Sequence, residues 1–115
     1  MEELEPEQVT SLKVLGFLYL RLGFFARAAR LFQALLALLP EDAGVAKSLA
    51  AALLEDGKAG EALALLDAPP LRADPSMPAD PVFLLLKARS LWRLQRGEEA
   101  FAAMEAYLAA TGGGR

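Results

Sequence analysis

The chain has 115 residues, a formal net charge of −3 and a hydrophobic fraction of 55%, a size that accommodates one domain. It contains no Cys, no His and no Asn, which removes disulfides, thiolate nucleophiles, sulfur-ligated metals and the commonest general base. The acidic balance argues against a nucleic-acid partner, since such domains carry a basic face. The hydrophobic residues are lopsided, with 24 Leu and 23 Ala but only 4 Val and no Ile. Ala and Leu favour helices whereas strands favour β-branched residues, so the composition predicts an all-α fold.

The elements follow in chain order. Pro6 and Glu7 suit a first helical turn, where a missing N–H is no loss and a carboxylate meets the positive end of the helix dipole. The segment from Val9 to Leu22 carries apolar residues at Leu12, Leu15, Leu18, Tyr19 and Leu22, one stripe at helical period. Gly23 ends it, and a second helix from Phe24 to Leu39 stops at Pro40, whose ring clashes with a continuing helix. A third helix runs from after Asp42 to Asp56-Gly57, and a short fourth covers Lys58 to Asp67. Residues 68–79 hold four of the seven prolines and break the helical pattern. Asp80-Pro81 reads as a cap and first turn of a fifth helix reaching about Arg96, and a sixth runs from Glu98 to about Ala110, with Thr111 to Gly114 fraying its end.

Short turns between six helices force antiparallel neighbours, hence a row of helical hairpins. The acidic start, Met1-Glu2-Glu3-Leu4-Glu5, precedes no apolar signal core, and the most apolar run, Leu31 to Leu39, is far shorter than the ~20 residues of a membrane span. A cytoplasmic protein without membrane insertion is expected.

The hairpins repeat. Leu12, Leu15, Gly16, Tyr19, Ala28, Phe32 and Pro40 fit the tetratricopeptide pattern within a unit over residues 9–42, with Leu12 in place of the opening Trp. Gly16 and Ala28 are small enough for the two helices to approach closely, and Tyr19 and Phe32 fill the space beside their crossing. A second unit over residues 43–70 places Leu49, Ala50, Leu53, Gly57, Ala62 and Leu66 correspondingly, but its second helix is cut short. A third over residues 81–114 aligns Ala88, Leu91, Ala100, Met104 and Tyr107, with Lys87 where Leu belongs and Gly97 displaced by two positions. Three such units are about the minimum for a stable stack.

Length, three repeats filling the chain, and the run from Leu15-Gly16-Phe17-Leu18-Tyr19-Leu20 to Leu35-Leu36-Ala37-Leu38-Leu39-Pro40-Glu41 resemble the small tetratricopeptide-like chaperones of bacterial type III secretion systems, most closely the YscY type. The resemblance implies a heterodimer or higher heterocomplex with a small secreted YscX-like export protein, possible contact with the export gate, and no cofactor. The needle-subunit chaperone of the same systems is similar in size and fold and stays open as an alternative, as do a general tetratricopeptide scaffold and a self-assembling structural protein.

In stacked hairpins of this kind the first helices line a concave side through their second, fifth, ninth, twelfth and thirteenth positions. Here those positions give an apolar floor of Phe17, Leu20, Ala51, Leu54, Leu85 and Trp92 with a basic fringe of Lys13, Lys47, Arg89 and Arg93. Such a groove suits an inserted amphipathic, partly acidic helix. Phe17 and Leu20 also read as ordinary core residues, whereas Trp92 lies beside the stripe Leu84, Leu85, Ala88, Leu91 rather than within it, between interface anchor and groove edge. A clamp for a chain-terminal carboxylate needs Asn residues that the chain lacks. The proline-rich connection is either a contact flap carrying Leu71, Arg72 and Met77 or, by preference, a spacer offsetting the short fourth helix.

Catalytic parts are missing. The four serines (11, 48, 76 and 90) have no histidine partner or nucleophile elbow. Asp56, Glu98 and Glu99 sit at helix ends, where dipole and capping account for them. Gly112 to Gly114 follow a helix instead of opening one, so they form no anion cradle.

Overall fold

The computed structural model describes residues 4–112, and Met1 to Glu3 and Gly113 to Arg115 lie outside them, including the last two glycines of the end expected to fray. Six helices follow one another: α1 (Pro6–Arg21), α2 (Phe25–Leu38), α3 (Ala43–Glu55), α4 (Ala59–Leu66), α5 (Pro81–Arg93) and α6 (Gly97–Ala110), with one 3-10 turn at Met77–Ala79. No strand occurs among the described residues. Each helix packs chiefly on its neighbours in the chain, and the first helices α1, α3 and α5 also touch in sequence. The result is an all-α stack of three tetratricopeptide-like hairpins, 47 Å along its longest axis. No helix is long and apolar enough to cross a membrane among the described residues.

The small-against-large pair at the first crossing is realised. A Cβ on Gly16 would stand 2.5 Å from Cζ of Phe32, and Phe32 is fully buried. Phe32 forms one core with Ala28, Ala29, Leu35, Val45, Leu49 and Ala52, which bonds α2 to α3. A second core joins α3, α4 and α5 through Ala46, Ala50, Leu54, Ala62, Leu66, Phe83 and Leu84.

The third unit shows why its glycine looked displaced. Gly23 and Gly57 end α1 and α3 at φ 84° and 81°, and Gln95 takes the same place after α5 at φ 62°. The turn has not moved; a side chain occupies it, and Gly97 instead opens α6. The left-handed region disfavours an L-residue by about 1–2 kcal/mol, partly offset by the greater freedom that glycine has when unfolded. Gln95→Gly is therefore expected to stabilise the chain by about 0.5–1 kcal/mol, read as a rise of a few degrees in the thermal midpoint. Because the turn begins there, α5 stops at Arg93, three residues short of the expected Arg96.

The proline-rich connection does not present Leu71 and Met77 as a contact flap; it offsets the short α4 with buried side chains. Leu71 and Met77 are buried in the second core beside Leu66 and Phe83, so they fill the space that a full-length α4 would occupy and are not available to a partner. Arg72 remains on the surface. The second repeat is thus completed from within the chain.

Candidate functional site

The face shared by α1, α3 and α5 is tied together by ion pairs spaced about one repeat apart. Lys13 Nζ lies 3.2 Å from Asp42 Oδ2, and Lys47 Nζ lies 2.8 Å from Asp80 Oδ2. Both aspartates do a second job, accepting the Val45 and Phe83 backbone N–H bonds that cap α3 and α5. Farther along the same helices, Arg89 Nη2 meets Glu55 Oε1 at 2.9 Å. Three cations of the expected basic fringe therefore already face carboxylates, which corrects the expectation of an open cationic rim. Such part-exposed pairs contribute at most about 1 kcal/mol each, and mainly set register. Arg93 is exposed, donates only a long bond to the Leu54 carbonyl (3.4 Å), and has no carboxylate within salt-bridge distance among the described residues.

Burial pushes the Asp42 and Asp80 carboxyls up, but the capping amides and the lysines outweigh it and hold both below the usual carboxylate value. A carboxyl with a lowered folded-state pKa stabilises fully above its ordinary pKa, and that contribution disappears as pH falls through the folded value. Urea midpoints should accordingly fall on acidification below about pH 4. Asp42→Asn, which retains a capping oxygen but not the charge, is expected to flatten part of that fall.

The apolar floor is only partly a surface. Leu54 is 0% exposed and belongs to the second core, because α5 lies over it, so it cannot contact a partner in the folded chain. Leu20 and Ala51 are half-buried against the first and second cores, and Leu85 is half-buried on α5. Phe17 is exposed, though its ring leans on Phe32 with centroids 5.5 Å apart. Lys13, Lys47 and Arg89 occupy the same face in their ion pairs. Trp92 stands out at 70% exposed.

Trp92 borders an apolar cleft of about 360 Å³ between α5 and α6, floored by Ala88 and Ala100 and flanked by Arg93, Phe101 and Met104. Phe101, 65% exposed, was not among the residues singled out from the sequence. It lies on a second helix, outside the first-helix positions, and its signal is a large aromatic at a place held by Ala29 and Leu63 in the earlier units. A larger hollow of about 510 Å³ beside the proline-rich connection mixes Asp67, Arg72, Asp74 and Lys87 with apolar groups and lacks an exposed aromatic anchor. At the opposite end of the stack, α1 exposes Val14, Leu18 and Leu22 along one stripe. Among the described residues no group of three or more His, Cys, Asp or Glu is placed to hold a metal.

No family model matches the chain, and no curated protein is significantly similar to it.

Proposed function

We propose that this chain is a helix-holding protein that binds an amphipathic segment of another polypeptide without catalysis and without nucleotide, in the manner of the YscY-type chaperones it resembles. Its client on this reading is a small secreted export protein whose apolar helix would otherwise self-associate; binding removes that surface from water and from other copies. The observation that carries the reading is the cleft with Trp92 and Phe101 bare on its walls, since large exposed aromatics beside an apolar hollow are typical anchors of an interface. A stable complex needs about 1,200–2,000 Å² of buried surface, so the cleft would form the centre of a contact extending onto the first-helix face at Leu85 and Phe17.

The test is co-expression with the small secreted protein encoded nearest the gene. The expected result is a stoichiometric complex that survives gel filtration, needs no nucleotide, and keeps an otherwise insoluble client in solution. Phe101→Glu should abolish it while circular dichroism shows unchanged helicity. A client that is soluble and monomeric alone, with no complex formed, overturns the chaperone reading.

A second reading, self-assembly, is favoured by one observation: the stripe Val14, Leu18, Leu22 leaves the opposite end of the stack apolar as well. Light scattering that rises with concentration in the absence of any client would select it.

A further inference from the structure

We infer that the α5–α6 cleft seats a helix of another protein in the place where a fourth first helix would stack, parallel to α5 and with a carboxylate set against Arg93. This rests on the helix-holding reading and adds to it the site, the direction and the charge of the guest.

The chain itself shows what covers such a surface. In the first unit Ala29 is buried with Phe32 under Val45, Leu49 and Ala52 of α3. In the second, the corresponding Leu63 is buried with Ala88 and Leu91 of α5. The corresponding residue of the third unit is Phe101, which is bare. The twelfth position tells the same story, with Leu54 sealed beneath α5 and Trp92 open. Each preceding copy of this surface is therefore occupied by a helix of one type and orientation. Ala88 and Ala100, small and buried where α5 crosses α6, form the floor of the cleft between the bare Trp92 and Phe101.

Direction and charge follow from the ion pairs. Lys47–Asp80 joins the beginnings of α3 and α5, and Glu55–Arg89 joins their ends, so consecutive first helices run parallel. In the second pair the ninth residue of the incoming helix meets the thirteenth residue of the helix beneath it. The thirteenth residue of α5 is Arg93, exposed and without a carboxylate partner among the described residues. A guest helix in this place sets its own ninth residue there, and an acid completes the pair. A second copy of this chain fits less well. Its α1 would bring Phe17 to that point with Lys13 and Arg21 a turn to either side, like charges against Arg89 and Arg93.

The chain holds one Trp, so Trp92 emission reports on this cleft alone. The probe is a peptide of residues 42–56, the helix that covers the first unit, stapled on its outer face to hold it helical, in A51E and A51K forms. Both are titrated into the full-length protein, with calorimetry run in parallel. The expected result is a blue shift and reduced acrylamide quenching with the A51E peptide, and at least tenfold weaker binding of the A51K peptide. Arg93→Glu in the protein should reverse that order. Heat of binding without a change at Trp92, or equal affinity for the two peptides, overturns this inference and leaves the helix-holding reading standing. Neither heat nor a change at Trp92 with either peptide also overturns the inference, while the helix-holding reading is decided separately by the client complex. A blue shift that grows with protein concentration before peptide is added means that a second copy fills the cleft, and overturns the inference as well.

Discussion

Phe32→Ala should cost about 3–5 kcal/mol, a large share of the 5–15 kcal/mol that holds a domain of this size together. The ring is fully buried, it fills the gap that Gly16 leaves in α1, and it anchors the core between α2 and α3. Its removal opens a cavity at the crossing where α1 comes closest to α2, beside Gly16, the one residue of α1 that is buried. Urea denaturation would register the loss as a much lower midpoint. The reciprocal change is informative too. Gly16→Ala drives a methyl group into the Phe32 ring and should cost about 1–3 kcal/mol, part of which Phe32→Leu ought to restore in the double variant. If the two changes simply add, the contact is not the determinant of this crossing.

The second large effect is a contrast between two residues at the same place in successive repeats. Leu54→Ala is expected to cost about 2–5 kcal/mol of stability, because Leu54 is sealed between α3 and α5. Trp92→Ala should leave stability within about 0.5 kcal/mol while weakening capture of the guest helix by about 2 kcal/mol or more, as befits an interface anchor. Paired thermal melts and binding isotherms on the two variants measure both sides of the contrast. A Trp92→Ala protein that melts like Leu54→Ala would make Trp92 a structural residue and remove the cleft as a docking site.

The fold was legible in the sequence because its punctuation is local. Pro40, Gly23, Gly57 and the Asp80-Pro81 start lie where the helices end or begin, and each acts through its own backbone geometry. The site was legible only in part. Position within a repeat told which residues of a first helix point toward the shared face, but not whether the next hairpin covers them; hence Leu54 was expected at the surface and Trp92 was rightly suspected of standing apart. Phe101 escaped notice because it lies on a second helix, at a position that the next hairpin covers in both earlier units. Leu71 and Met77 gave no periodic signal in their irregular segment, although both are buried. The pairing of Lys13 and Lys47 was recoverable in principle: each precedes the next capping aspartate by roughly one repeat.

Contacts in this molecule run almost wholly between neighbours, with α1 resting only on α2 and α3 among the described residues. A stack of that kind has no central hub, and its rigidity is passed along link by link. Local opening should therefore begin at the two outer helices and become rarer toward α3 and α4, giving a gradient of amide hydrogen exchange from the termini inward. A molecule bound at one end would then do more than cover that end: by halting the fraying there, it would slow exchange several helices away without any change in their shape.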